Sequence, residues 1–136
     1  MFSISAVKGK FKRSKLDLEK TFLFDEQLSR LDNNILKLFK IDEKCIIYYV
    51  ESDTYSWYIT NQRFLIPSED KSIILSHLKR IDFLDLKQNP SNKLKNKQLN
   101  LFTDKQEFSF YVEERSWHLI FDIFKFIIGK NKKVNG

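Results

Sequence analysis

The chain has 136 residues, 42% of them hydrophobic and 31% charged, with a formal net charge of +6. That is the length of one domain able to bury its own core, and the composition excludes a disordered chain. A single cysteine, Cys45, excludes an internal disulfide, and no segment approaches the roughly 18 apolar residues that span a bilayer.

Residues 1–20 carry six basic and two acidic groups around sparse apolar positions, and read as a basic, flexible leader. Val7, Phe11, Leu16 and Leu18 could dock on the domain, and Leu16 and Leu18 alternate with Asp17 and Glu19 as a short edge strand would. The leader has no continuous apolar core, so it is not a secretory signal, and the cytoplasm is the expected compartment.

From Asp25 the period changes. Leu28, Leu31, Ile35 and Leu38 recur at three- and four-residue spacing, which predicts a helix of about four turns with Asp25 as N-cap and Lys37 and Lys40 at its negative end. Strands follow. Cys45–Glu51 is β-branched and aromatic, and Cys45 within it reads as a buried, inert thiol. Glu51-Ser-Asp-Thr54 is a polar turn. Tyr55–Thr60 alternates, with Tyr55, Trp57 and Ile59 opposed to Ser56, Tyr58 and Thr60. Asn61-Gln62 reverses the chain, Arg63–Ile66 returns, and Pro67 stops that strand. Ile73–Leu75 and Ile81–Leu86 are further short strands.

Lys87–Gln98, with one Pro, three Asn and four Lys, reads as an exposed loop. Leu99–Phe102 and Glu107–Val112 complete about seven strands. The last element is an amphipathic helix of about 13 residues. Trp117, Ile120, Phe121, Phe124, Ile127 and Ile128 form its stripe, Ser116 its cap, and Gly129 its terminating glycine. Residues 130–136 form a basic, frayed tail, which leaves residues 21–129 as one domain. The expected fold is α+β, mainly β: a curled antiparallel barrel or sandwich with an N-terminal helix, capped by the stripe of Trp117, Ile120, Phe121, Phe124 and Ile128.

The phrase Tyr58-Ile-Thr-Asn-Gln-Arg-Phe-Leu65, the stretch Leu78-Lys-Arg-Ile81 and the closing amphipathic helix resemble the bacterial pleckstrin-homology-like (PH-like) and GRAM-like domains. Thr60, Asn61 and Arg63 carry the "T-N-x-R" phrase of that resemblance, and their residue types also suit a strand end and a turn, so they read as fold residues. The resemblance implies a non-catalytic binding module. In headgroup-binding members Lys and Arg surround the first strand-to-strand loop. Here that loop, Glu51–Thr54, is acidic and would repel an anionic headgroup, which leaves a protein or peptide as the expected partner.

No constellation for chemistry stands out. His77 and His118 lack metal-ligand spacing, the three glycines cannot build a phosphate loop, and no metal or cofactor is expected. The pairs Asp42-Glu43, Glu69-Asp70 and Glu113-Glu114 flank elements and read as solvated. The basic candidates are Lys8, Lys10, Lys12 and Arg13 in the leader and Lys93, Lys95 and Lys97 in the loop. They offer the alternative of peripheral binding to anionic lipid at the inner membrane surface. Nucleic acid is disfavoured, because Phe11 is the only aromatic residue among them. A small inhibitor or immunity-type protein is a further alternative, resting on size alone.

Overall fold

The computed structural model describes residues 2–27, 29, 31–83 and 98–135. The elements in chain order are α1 (Ile4–Ser14), β1 (Thr21–Leu23), α2 (Asn33–Leu36), β2 (Cys45–Ser52), β3 (Tyr55–Thr60), β4 (Arg63–Ile66), β5 (Lys71–Ile74), β6 (Arg80–Phe83), β7 (Gln98–Phe102), β8 (Glu107–Tyr111) and α3 (Trp117–Asn135). The class is α+β and mainly β. The strands form two antiparallel meanders, a five-stranded sheet in the order β1-β2-β3-β4-β5 and a three-stranded sheet in the order β6-β7-β8. Neither sheet closes among the described residues. Of the barrel or sandwich expected from the sequence, the described strands form two separate sheets, because a 3₁₀ turn at Leu75–His77 separates β5 from β6 and each pairs only within its own sheet.

The alternation read from the sequence decides the faces. Trp57 and Ile59 of β3, Phe64 and Ile66 of β4 and Ile73 of β5 are buried on the inner face of the larger sheet. Ile81, Leu99, Leu101 and Phe110 face them from the smaller sheet, and Ile120, Ile123, Phe124 and Ile127 of α3 close the space between. Phe64 lies at the centre, its ring centroid 4.8 Å from Phe110, 5.3 Å from Phe124 and 5.5 Å from Trp57, all edge-on. Edge-to-face geometry adds to the roughly 1.5–3 kcal/mol that burial of each such side chain contributes. Within β2 the register shifts between Cys45 and Ile47, a bulge that lets the adjacent Ile46 and Ile47 both enter this core while Cys45 joins a smaller cluster with Tyr58 and Leu65.

Three elements differ from the sequence reading. The leader holds a helix. Ser3 Oγ accepts from the Ala6 N–H at 3.2 Å, Lys15 ends the helix in the left-handed conformation (φ 53°), and Lys12 and Arg13 suit its negative end. Ile4, Val7 and Phe11 form its inner stripe, Val7 wholly buried, and the helix rests on α3 and β2. Leu16 and Leu18 pack on the core without forming a strand, which begins at Thr21.

The helix expected from Asp25 shrinks to the single turn of α2, capped by Asp32, whose Oδ1 accepts from the Asn34 N–H at 2.8 Å. Asp25 accepts instead from the Gln27 N–H at 2.8 Å in a local turn. Leu28 lies outside the described residues. Leu31, Ile35 and Phe39 pack on Tyr58 and Leu65, so the stripe drapes over the outer face of the sheet rather than winding into a helix.

Helix α3 runs past Gly129 to Asn135 instead of ending there. Helix interiors tolerate glycine at about 1 kcal/mol, and Asn131, two residues on, donates through Nδ2 to the Leu75 and Leu78 carbonyls at 2.8 and 3.2 Å. At the other end, Ser116 Oγ donates to the Glu113 carbonyl at 2.8 Å rather than accepting from the helix.

Phe64→Ala removes the ring shared by both sheets and α3. We expect a loss of about 3–5 kcal/mol of unfolding free energy in urea titrations followed by tryptophan fluorescence. A loss below about 1 kcal/mol would show that the layers do not meet there.

Candidate functional site

Thr60, Asn61 and Arg63 meet at the β3–β4 turn, each held by side-chain hydrogen bonds. Arg63 forms a two-point pair with Glu43, Nε to Oε2 at 2.9 Å and Nη2 to Oε1 at 2.6 Å, and Nη2 also donates to the Leu38 carbonyl at 2.7 Å. Thr60 Oγ1 donates to Glu43 Oε2 at 2.7 Å and accepts from the Arg63 N–H at 2.8 Å. Asn61 Oδ1 accepts from the Lys44 N–H at 2.8 Å, and its Nδ2 donates to the Asp42 carbonyl at 3.1 Å. These contacts tie segment 38–45 to the sheet.

Glu43 is therefore not the solvated residue its sequence position suggests, since its side chain is fully buried. Burial pushes its carboxyl up. Hydrogen bonds from Arg63, the Lys40 N–H and Thr60, with the Arg63 charge, outweigh that and hold it below the ordinary carboxylate value. The Glu43 bond in turn holds the Arg63 guanidinium above its usual value.

The basic residues do not form one patch. Lys8 lines a small cleft with Glu43 and Cys45, whereas Lys10 and Arg13 turn toward α3. The Lys10 ammonium lies 5.2 Å from the Phe126 ring centroid, and Lys130 flanks the same ring at 5.3 Å. Lys12 is exposed. Lys93, Lys95 and Lys97 lie outside the described residues.

In the closing stripe, Trp117, Ile120, Phe124 and Ile128 are buried and Phe121 is half-buried. Ile123 and Leu119, absent from the sequence stripe, are buried as well, Ile123 completely, because α1 covers a second side of α3.

Cys45 is buried, and desolvation, helped by the Glu43 charge, pushes its thiol up to about 12, so it carries no thiolate at neutral pH. His118 is exposed and sits 3.3 Å from Asp122, one turn on, while His77 is exposed at the end of a 3₁₀ turn. Among the described residues no group of three His, Cys, Asp or Glu side chains could hold a metal, and no helix is long and apolar enough to cross a membrane.

A cleft of about 730 Å³ lies where residues 17–20, the β2–β3 turn and the β8–α3 junction meet. Sequence reasoning missed it because its parts are far apart in the chain, although the acidic Glu51–Thr54 turn and the Glu113-Glu114 pair were both visible. Glu113 builds one wall. Its Oε2 accepts from the Glu19 N–H at 2.8 Å, and its Oε1 accepts from the Lys20 N–H at 2.9 Å and from Thr21 Oγ1 at 2.7 Å. Tyr49, Tyr55 and Tyr111 build another, with centroids 6.3 Å apart for Tyr49–Tyr55 and 5.8 Å for Tyr55–Tyr111.

The tyrosine wall is pinned at Tyr111. Its N–H donates to Tyr55 Oη at 2.9 Å, and its carbonyl accepts from Trp57 Nε1 at 2.7 Å. Side chains of β3 thus satisfy the backbone at the end of β8 and join the two sheets. Burial, more than any neighbouring charge, pushes the Tyr55 hydroxyl up to about 12 and also raises that of Tyr49, whose hydroxyl donates to Glu51. The lining holds five carboxylates (Asp17, Glu19, Glu51, Glu113, Glu114) against two cations (Lys20, Arg115), an excess of three negative charges in a chain that is positive as a whole.

Compared with models of known protein families, with curated proteins and with solved structures, the chain finds no match.

The Glu43 carboxyl lies lower folded than unfolded. Its contribution is therefore complete above its ordinary value near pH 4.5 and is lost as pH falls through the depressed folded value. Glu43→Gln should cost about 3 kcal/mol at neutral pH by leaving Arg63 unpaired. It should also flatten the fall in stability below pH 4.5 in urea titrations run across pH. An unchanged acid slope would remove Glu43 from the acid response.

Proposed function

We propose that this chain is a non-catalytic binding module of the PH-like class that takes a protein or peptide partner. The class rests on the resemblance carried by the phrase Tyr58–Leu65, with Thr60, Asn61 and Arg63, by Leu78–Ile81 and by the closing amphipathic helix. The groups with the greatest latent reactivity are committed to packing. Cys45 is held protonated in a core and Glu43 is locked to Arg63.

The observation that carries the reading is the cleft between residues 17–20, the β2–β3 turn and the β8–α3 junction. It opens at the corner of the two sheets, the Tyr49 and Tyr55 rings of its wall are each held by a hydrogen bond at the hydroxyl, and Tyr111 beside them is half exposed. Rigid tyrosines supply contact area at low entropic cost, and hot spots of protein interfaces are enriched in them. The negative excess selects a partner segment rich in Lys or Arg and repels anionic headgroups. The cleft is therefore a more suitable docking surface than the basic leader, whose lysines are divided between two sides of α1.

The test is selection from a random peptide library against the full chain. Enriched peptides should carry net positive charge and bind saturably. Tyr111→Ala, which leaves the Tyr111 backbone bonds in place, should weaken them about tenfold with little change in melting temperature. Failure to enrich any peptide, equal binding to the variant, or binding to anionic vesicles in place of peptides would each defeat the reading.

A further inference from the structure

On the other side of Arg115 from the acidic cleft lies a groove of about 420 Å³ of opposite character. Lys10 and Arg13 come to it from α1, and Arg115, His118 and Asp122 from the start of α3. These segments are about a hundred residues apart in the chain and meet because α1 packs on α3. Three basic side chains thus line one groove with a single carboxylate, Asp122, which lies 3.3 Å from His118. Neither the Arg13 nor the Arg115 side chain makes an ion pair or hydrogen bond among the described residues.

Stability of the fold does not call for this arrangement. Arg13 suits the negative end of α1, but Arg115 stands at the positive end of α3, where cations are disfavoured, and α3 has no acidic residue in its first turn. Two arginines offer planar donor forks that match tetrahedral oxyanions better than lysines do. Lys10 adds a point charge held beside the half-buried Phe126 ring. Gly9 leaves space for the Arg13 guanidinium to lie along α1, since a Cβ there would come within 2.9 Å of its Nη1.

We propose that this groove binds a phosphoryl group, with Arg13 and Arg115 as its paired donors and Lys10 as the supporting charge. The site does not depend on the peptide reading of the neighbouring cleft. The acidic residues across Arg115 confine an anion to the groove side. The phosphoryl group can belong to a soluble phosphorylated molecule or to a lipid headgroup, since both present the same oxygens.

The experiment titrates inorganic phosphate into the isotope-labelled full chain, with sodium chloride at matched ionic strength as control. Amide resonances of residues 10–14 and 115–119 should shift saturably with phosphate and not with chloride. Arg13→Ala/Arg115→Ala should weaken the binding about tenfold or more, and Arg13→Lys/Arg115→Lys, which keeps the charge but not the fork, should fall between. Both arginines are exposed, so urea midpoints of the variants should match the parent. A second arm measures sedimentation with phosphatidylcholine vesicles with and without phosphatidic acid. Phosphate binding with vesicle binding that the double variant loses supports the site and names the lipid source. Phosphate binding without vesicle binding supports it and names the soluble source. A shift that chloride reproduces, one that never saturates, or unchanged affinity in the alanine double variant overturns it.

Discussion

Everything in this fold depends on Phe64 having three neighbours at once. Its ring is completely buried between Trp57 of its own sheet, Phe110 of the other sheet and Phe124 of α3. A five-stranded and a three-stranded sheet each have an apolar face too small to be stable alone, and closing one against the other leaves an open end that only a helix can cover. The terminal helix supplies Ile120, Ile123, Phe124 and Ile127 to that end. Large aromatic side chains suit this junction because a few of them fill an irregular volume where three surfaces meet at different angles.

Irregular backbone is held by carboxylates rather than by ladders. The stretch between β1 and β2 contains one turn of helix, yet it covers the outer aromatic ring pairs of Tyr48 with Phe24 and of Tyr58 with Phe39. Glu43 anchors its far end to Arg63 and Thr60, and Glu113 performs the same service for the approach to β1. A buried ion pair contributes little net stability against an apolar alternative. It does leave few other ways to satisfy the same groups, which defines the path of a chain segment that has no ladder to follow.

The charge of the molecule is sorted by geometry as well as by sequence. Five carboxylates and three tyrosines gather on one side of Arg115, while Lys10, Arg13 and Arg115 gather on the other. Opposed fields so close together orient an approaching charge more than they add to affinity. The core contributes nothing to this directly, but by fixing the β8–α3 junction it fixes where the fields meet.

The sequence by itself determined the strands from Cys45 to Ile66, the shared face of Trp57 and Ile59, and the buried stripe of the last helix. Two-residue and 3.6-residue periods are local properties, and one apolar face is enough to reveal them. It also determined the α+β, mainly β class. Tertiary structure decided the rest. The apolar stripe from Leu28 suits a helix locally, but its described members Leu31 and Ile35, with Phe39, are spread over Tyr58 and Leu65, because an uncovered sheet face attracts them more strongly than their own turns do. The sparse leader becomes α1 because α3 and β2 offer Val7 a place to be buried, and α3 passes Gly129 because Asn131 finds the Leu75 and Leu78 carbonyls. Neither the acidic cleft nor the basic groove could be read in advance. Each is assembled from residues far apart in the chain, and only the packing of the layers sets the distances between them.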